Sequence, residues 1–220
     1  FYRAENGQPI GYFWGYKTAG IFQNTQEIDE WRAAGNGILQ SNVQPGDVRF
    51  VDRNHDGQIN DKDKVNLGNG TPDFTLGLNL GFVYKGFDFS IVANGAFGQQ
   101  IVQSYRNHTR PTPNYTTAIL DRWHGEGTSN RIPRVTDSNI NYQFSDLFIQ
   151  NGDYLRLSTL TLGYDFAKLF KGKAVSQARL YFQVQNLFII TGYDGMDPEI
   201  GFGSSNNSWV SGLDYGYYPR

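Results

Sequence analysis

The sequence predicts an all-β chain that forms part of a large antiparallel transmembrane β-barrel with long extracellular loops. Three observations support this fold class. The 220 residues include 14 Tyr, 16 Phe and 26 Gly but only 18% charged residues, a composition that favours strands over helices. Apolar and polar side chains alternate with a period of two over 74–84. The connections between predicted strands alternate between short and long, as they do in outer-membrane barrels.

Five strands are predicted from the alternation and from the turn signals between them. They cover residues 8–17, 73–84, 87–98, 154–166 and 178–190. Lys85-Gly86 is expected to be a tight hairpin turn. The long connections are 18–70, 99–153 and 191–220, and structureless loops beyond about 15 residues are uncommon in compact soluble domains. A helical turn is predicted at Gln26–Ala33, capped by Asn24 or Thr25, and a short helix at 116–124.

The strand at 73–84 favours a barrel over a soluble sandwich. Its apolar set carries aromatic residues towards both ends, and the opposite set is small and uncharged, comprising Thr75, Gly77, Asn79 and Gly81. A soluble sandwich, which is the alternative fold, would present charged side chains to solvent. A lipid-facing band opposite a polar lumen has the observed arrangement. Because a membrane barrel needs at least about eight strands, we expect a segment of a longer protein, from which one terminal inward strand is missing.

Composition and charge exclude several functions. The chain has no cysteine, which rules out disulfides, cysteine-ligated zinc and thiol catalysis. Its net charge of −2 has none of the positive excess that nucleic-acid binding requires, so no nucleic-acid partner is expected. No apolar run reaches the roughly 18 residues of a transmembrane helix.

A twelve-residue calcium loop is predicted over residues 52–63, beginning within the sequence VDRNHDGQIND. Oxygen ligands at alternate positions of a tight loop suit Ca²⁺, which takes about 6–8 of them. Gly57 falls where the loop needs positive φ, and Ile59 is expected to anchor the loop in apolar surroundings. The predicted ligands are Asp52, Asn54, Asp56, Gln58 through its backbone carbonyl, Asn60 and Asp63.

The predicted loop departs from an EF-hand in two respects. Its last ligand is Asp instead of bidentate Glu, and no clear helix precedes it, so we expect a structural site like those of dockerin-type loops. The alternative is an Asp-Gly turn in a solvated acidic loop.

No enzymatic motif emerges from the remaining residues. His55, His108 and His124 lie far apart without an HxxxH pattern, so a zinc site is not expected. Asp121 and Glu126 could suggest a carbohydrate-cleaving pair, but a short loop helix with solvated charges is the stronger interpretation. Loop aromatic residues could stack on sugars, anchor a partner or simply pack the loops; they are Trp14, Trp31, Trp123, Trp209, Tyr215, Tyr217 and Tyr218.

The order of several segments resembles the C-terminal part of the SusC-like TonB-dependent outer-membrane transporters of Bacteroidetes. The segments are PIGYFWGYKTAGIFQ, QPGDVRFVDRNHDGQINDKDKVNLGNGTPDFTLGLNLGFVYKGFDFS, YLRLSTLTLGY, ARLYFQVQNLFIITGYDGMDPEIG and LDYGYYPR. The resemblance implies a barrel of about 22 strands, of which this chain would supply about five, with an N-terminal plug that residues 1–220 do not include.

The resemblance also implies partners and a function. They are a SusD-like surface lipoprotein, a TonB complex reached through the missing N-terminal part, the lipid bilayer, and an imported oligosaccharide or peptide substrate, with no enzymatic step. The expected location is the outer membrane of a Gram-negative cell, and the expected role is nutrient uptake. The alternative function is a soluble, calcium-stabilised β-domain that binds glycans.

Overall fold

The structure is a computed structural model that describes residues 2–103, 117–136, 139–167, 178–199 and 211–214. The α-helix α1 spans Thr25–Ala33, and 3₁₀ turns cover Asp61–Asp63, Thr117–Asp121, Asn139–Tyr142 and Asp146–Phe148. Among the described residues, no α-helix is long and apolar enough to cross a membrane. The strands are β1 (Tyr2–Arg3), β2 (Tyr12–Gly15), β3 (Thr18–Ile21), β4 (Val48–Phe50), β5 (Val65–Asn66), β6 (Phe74–Tyr84), β7 (Phe87–Phe97), β8 (Gln100–Gln103), β9 (Ile149–Asn151), β10 (Tyr154–Asp165), β11 (Arg179–Thr191) and β12 (Leu213–Asp214).

The chain divides into two compact units. The first consists of Phe1–Gly70, Ile101–Gln150 and Ile200–Arg220, and the second consists of Thr71–Gln100 and Asn151–Glu199. The second unit contains the long strands, whereas the first contains most of the chain that was predicted to form loops.

The second unit is built on a four-stranded antiparallel sheet in the order β11-β10-β7-β6. Strands β6 and β7 are joined by Lys85 and Gly86, which both have positive φ, at 48° and 94°. That conformation is typical of the type I′ turn, whose twist matches that of the flanking strands. The hairpin predicted at Lys85-Gly86 is therefore confirmed, and the predicted strands at 154–166 and 178–190 also pair antiparallel, as β10 and β11. A register shift between Leu157 and Thr159 marks a bulge in β10 against both of its neighbours.

The first unit contains three small sheets, β1-β2-β5, β3-β4 and β12-β8-β9. Two clusters of buried apolar side chains lie in the described part of this unit. One consists of Phe13, Val65, Leu67, Val102 and Leu213, and the other of Tyr16, Val48, Phe50 and Ile59. The predicted loops thus have a folded core of their own, which positions the acidic loop described below.

The strand predicted over 8–17 is present, but it is shorter than predicted and does not join the long sheet. The strand in this region, β2, covers only Tyr12–Gly15, and it pairs with the short strands β1 and β5. Both Tyr12 and Phe13 are buried, and because consecutive side chains of a strand point to opposite faces, both faces of β2 are covered. Within the described residues, the long sheet therefore has four strands instead of the expected five.

Helix α1 confirms the predicted helical turn and identifies its cap. The Asn24 side chain accepts a hydrogen bond from the backbone N–H of Glu27 at 2.9 Å, which satisfies one of the unpaired donors of the first turn. The predicted short helix at 116–124 is a 3₁₀ turn over Thr117–Asp121.

Candidate functional site

One face of the four-stranded sheet is apolar along its whole length. Residues that are paired directly across neighbouring strands project from the same face, so the register defines this apolar face. It consists of Phe74, Leu76, Leu78, Leu80, Phe82 and Tyr84 of β6, Phe87, Phe89, Ile91 and Ala93 of β7, Leu155, Leu157, Leu160, Leu162 and Tyr164 of β10, and Leu180, Phe182, Val184, Phe188 and Ile190 of β11. Most of the large side chains in this set are exposed. A contiguous exposed apolar surface of this extent marks contact with lipid or another apolar partner.

The opposite face of the sheet is mostly polar, and we call it the polar face. It includes Thr75, Asn79, Ser90, Asn94, Thr159, Thr161, Gln183 and Gln185. Asp88 of β7 and Arg179 of β11 form an ion pair on it, with 2.8 Å between Nε and Oδ1. The pair passes over Gly163 of β10, where a Cβ atom would overlap the Asp88 carboxylate. Glycine at this position lets the ion pair lie directly on the strand.

The strands are long enough to cross a bilayer. Strands β6 and β7 have 11 residues each, β10 has 12 and β11 has 13. A transmembrane β-strand needs about 9–11 residues when it is tilted by about 45°. Length, an apolar face with aromatic residues at its ends, and a polar opposite face together define a sheet of the outer-membrane barrel class.

The acidic loop lies in the first unit, and its first predicted ligand is fully buried. Asp52 is 1% exposed. Its Oδ2 atom accepts hydrogen bonds from the backbone N–H groups of Gly57 at 2.8 Å and Gly37 at 3.2 Å. Its Oδ1 atom is buried and has no hydrogen-bond partner among the described residues. A buried carboxylate oxygen without a partner is costly, so this atom is available for a cation.

The middle of the loop is shaped by two successive side-chain turns. Oδ1 of Asn54 accepts from the backbone N–H of Asp56 at 3.1 Å, and Oδ1 of Asp56 accepts from that of Gln58 at 2.9 Å. Gly57 has φ of +79°, and Ile59 is 8% exposed within the cluster of Tyr16, Val48 and Phe50. The predicted glycine conformation and the predicted apolar anchor are both confirmed.

At the end of the loop, the side-chain oxygens of the predicted ligands already accept hydrogen bonds from the loop backbone. Asp63 is fully buried, and its two oxygens accept from the N–H groups of Arg53 at 2.9 Å and Asn60 at 2.8 Å. The Asn60 side chain accepts from Lys62 and caps the 3₁₀ turn. Within the described ranges, no three His, Asp or Glu side chains converge as a metal-binding group. Local hydrogen bonds thus join Asn54 to Asp56 and tie Asp52 to the Gly57 amide, while Asn60 and Asp63 bond the backbone at the end of the loop.

The charges around the loop are unevenly compensated. Among the described residues, neither Asp52 nor Asp63 has an ion pair, although both are buried. By contrast, the buried carboxylate of Asp47 pairs with Arg134 at 2.7 Å. At the surface, the hydrogen bond from Asn54 lowers the pKa of Asp56. The buried carboxylates of Asp52 and Asp63 therefore lie in the loop without an ion-pair partner among the described residues.

Other candidate residues have structural roles. The indole Nε1 of Trp123 donates to the Gln23 side chain at 3.2 Å, and Glu126 accepts from Asn24 at 2.7 Å. The Trp14 ring lies 4.2 Å from the Arg3 guanidinium, and the Trp31 ring packs edge-on against Phe22. These contacts are loop packing. His108, Trp209, Tyr215, Tyr217 and Tyr218 lie outside the described residues.

Two features of this unit were not predicted. The buried Asp47 also accepts from the Asn141 side chain at 3.0 Å, which joins segments 94 residues apart. Gly37 lies directly on the backbone of Gln58, so that a Cβ atom there would come within 2.6 Å of the Gln58 carbonyl carbon. No local pattern in the sequence signals either contact, because both join distant segments.

Comparisons with known proteins agree with the assignment of the long sheet to the outer-membrane barrel class. No protein-family model matches the chain. TonB-dependent receptor P3 of Formosa agariphila is 33% identical over 97% of this chain and 21% of its own length. TonB-dependent receptor SusC of Bacteroides thetaiotaomicron is 31% identical over 83% of this chain and 17% of its own length. Among solved structures, the RagAB peptide transporter aligns with a TM-score of 0.67 and 21% identity over 99% of this chain and 23% of that chain.

The sheet and the comparisons place the chain in the outer membrane, as a segment of a β-barrel. The chain belongs to the SusC-like TonB-dependent receptors. It spans about a fifth of the length of the curated relatives that it matches. Those relatives are receptors, and the aligned structure is a transporter.

Proposed function

We propose that the longer protein of which this chain is part imports oligosaccharides or peptides across the outer membrane and performs no enzymatic step. The observation that carries the proposal is the two-faced sheet. Its apolar face carries about twenty side chains, which a covering of lipid would shield from water. Its polar face, with the Asp88–Arg179 ion pair, suits a hydrated barrel interior.

The proposed partners follow from the class of protein. A SusD-like surface lipoprotein acts as the substrate-capturing lid, and a TonB complex supplies energy through a part of the protein outside residues 1–220. The relative named RagAB is a peptide transporter, which supports peptides as one substrate class for this family. The family resemblance of the sequence implies oligosaccharides as the other substrate class, so both classes belong in the test.

The experiment begins with the native, full-length protein. The outer membrane is extracted with mild detergent, the protein is purified, and co-purifying chains are identified by mass spectrometry. We expect a detergent-dependent barrel accompanied by a surface lipoprotein. Cells that lack the gene should then lose uptake of either a labelled oligosaccharide mixture or a labelled peptide mixture, and the mixture affected identifies the substrate class.

Two results would contradict the proposal. Recovery of the protein in the soluble fraction without detergent would favour the glycan-binding soluble domain instead. Unchanged uptake of both mixtures in the deletion strain would exclude import of these substrates.

A further inference from the structure

We propose that the acidic loop binds a structural Ca²⁺ ion through Asp52, Asn54, Asp56 and the backbone carbonyl of Gln58, and that Gly37 positions this last ligand from outside the loop. The site is independent of the transported substrate. Its ligands are hard oxygen atoms on a short, tightly turned segment, which is the donor set that Ca²⁺ prefers.

The buried oxygen of Asp52 is the first observation that points to an ion. Asp52 is 1% exposed, its Oδ1 has no partner, and no Lys, Arg or His among the described residues pairs with its carboxylate. An unpaired buried charge is strongly unfavourable. The nearby Asp47 shows how this chain compensates a buried carboxylate elsewhere, because Arg134 contacts it at 2.7 Å. A bound cation supplies the corresponding charge for Asp52.

The other donors lie on the same short segment. The Asp52 carboxylate accepts a hydrogen bond from the Gly57 N–H, which holds the middle of the loop against its first residue. One side-chain oxygen of Asn54 and one of Asp56 each accept a hydrogen bond from the backbone N–H two residues ahead. Because a carbonyl or carboxylate oxygen has two lone pairs, each of these oxygens can also coordinate a metal ion. The hydrogen bond that Nδ2 of Asn54 donates to Oδ2 of Asp56 is exposed and can exchange for metal coordination. Water completes the coordination shell of about 6–8 oxygens.

Gly37 connects this site to helix α1. It donates its N–H to Asp52, and its carbonyl accepts from the indole Nε1 of Trp31 at 3.2 Å. Its α-carbon lies against the peptide of Gln58, where even a methyl group would overlap the backbone. An ion held between Asp52 and the Gln58 carbonyl therefore clamps the segment after α1 onto the loop. We infer that calcium orders residues 34–60 as one body.

The test uses the full-length transporter in detergent, stripped of metal with a chelator. Hydrogen exchange is measured by mass spectrometry on peptides covering 34–60, with and without added CaCl₂. We expect calcium to slow exchange across this segment, including the Gly37 and Gly57 amides that bond to Asp52. This local readout separates the proposed site from ions bound elsewhere on the protein. MgCl₂ at the same concentration should give a smaller effect, since Mg²⁺ demands octahedral geometry and dehydrates reluctantly.

Two variants and a control make the assignment specific. Asp56→Asn changes an exposed side chain, so the fold should persist while the calcium concentration for half-maximal protection rises about tenfold or more. Asp52→Asn should abolish the protection. Asp61→Asn is the matched control, because Asp61 is exposed, pairs with Lys64 at 2.7 Å and lies outside the ligand set. The Asp61→Asn variant should reach half-maximal protection at the same calcium concentration as the wild type.

A further pair of variants tests the role of Gly37. Gly37→Ala should raise the half-maximal calcium concentration about tenfold, which is typical for loss of an outer-shell support. Gly125→Ala is its control, because a Cβ atom there meets nothing within 4 Å. Absence of any calcium effect on 34–60 would overturn the ion site, and so would an Asp56→Asn variant that titrates like the wild type. A Gly37→Ala variant with unchanged calcium response would overturn the positioning role.

Discussion

Placing an arginine at Val184 should destabilise the barrel, whereas the same change at the adjacent Gln183 should be tolerated. Val184 belongs to the apolar face and Gln183 to the polar face, because their register partners are Leu160 and Thr161. Strand β11 has 13 residues and its centre is Gln185. When the centre of the strand is taken as the middle of the membrane, a rise of about 3.4 Å per residue and a tilt of about 40° put Val184 about 3 Å from that midplane.

The expected magnitude follows from this depth. Arginine on the lipid face near the midplane costs about 2–4 kcal/mol, which is about 30- to 1,000-fold in the folding equilibrium. Gln183→Arg places its charge in the hydrated interior, where a side chain of similar length is already present, and should cost less than about 1 kcal/mol. Val184→Thr, which is nearly isosteric and uncharged, separates the cost of charge from the loss of apolar contact.

The assay is urea unfolding of the full-length protein in lipid vesicles, followed by the shift in gel mobility between folded and unfolded barrel. Outer-membrane levels of each variant in cells provide a second readout. The assignment of the two faces would be refuted if Gln183→Arg lost as much stability as Val184→Arg, or if Val184→Arg unfolded at the same urea concentration as Val184→Thr.

Three further predictions concern the first unit, and hydrogen exchange of the full-length protein measures each one. Arg134→Ala leaves the buried Asp47 carboxylate unpaired and should cost about 3 kcal/mol, so protection around 44–50 falls about a hundredfold; unchanged protection would contradict the role of the pair. Gly46→Ala places a methyl group against the Trp123 ring at a position with φ of +90°. It should increase the exchange rate at both 44–50 and 121–134, and equal rates in the variant and the wild type would disprove this contact. Asn24→Ala removes the N-cap of α1 and should cost about 1 kcal/mol, seen as about fivefold faster exchange in the first turn, while no change there would exclude a capping role.

The features predicted most closely are those encoded by local repetition. The period of two in β6 and β7 separates an apolar from a polar set, and the Lys85-Gly86 turn joins the two strands where the alternation restarts. The loop was predicted from spacing alone, and the positive φ of Gly57 and the burial of Ile59 both agree with it. Each of these signals depends on neighbours within a few residues, and such signals survive in a single sequence.

The predicted strand at 8–17 differs from the structure because the sequence does not show what covers it. Residues 8–17 have enough aromatic and apolar side chains to predict a membrane strand, but β2 is short and buried on both faces by other parts of the first unit. Propensity cannot distinguish a strand covered by lipid from one covered by protein, because both surroundings favour the same residue types. The covering segments are distant in the chain and have no pattern in common with β2.

The sequence by itself determined the class of fold, the two faces of the long sheet and the position of the acidic loop. Alternation and turn chemistry are properties of adjacent residues, and they dictate which way each side chain points. Only the tertiary structure decided that Asp52 is buried with an unpartnered oxygen, that Gly37 lies on the Gln58 peptide, and that Arg134 compensates Asp47. Burial and charge pairing between distant segments depend on how the chain closes on itself, and closure is a property of the whole fold.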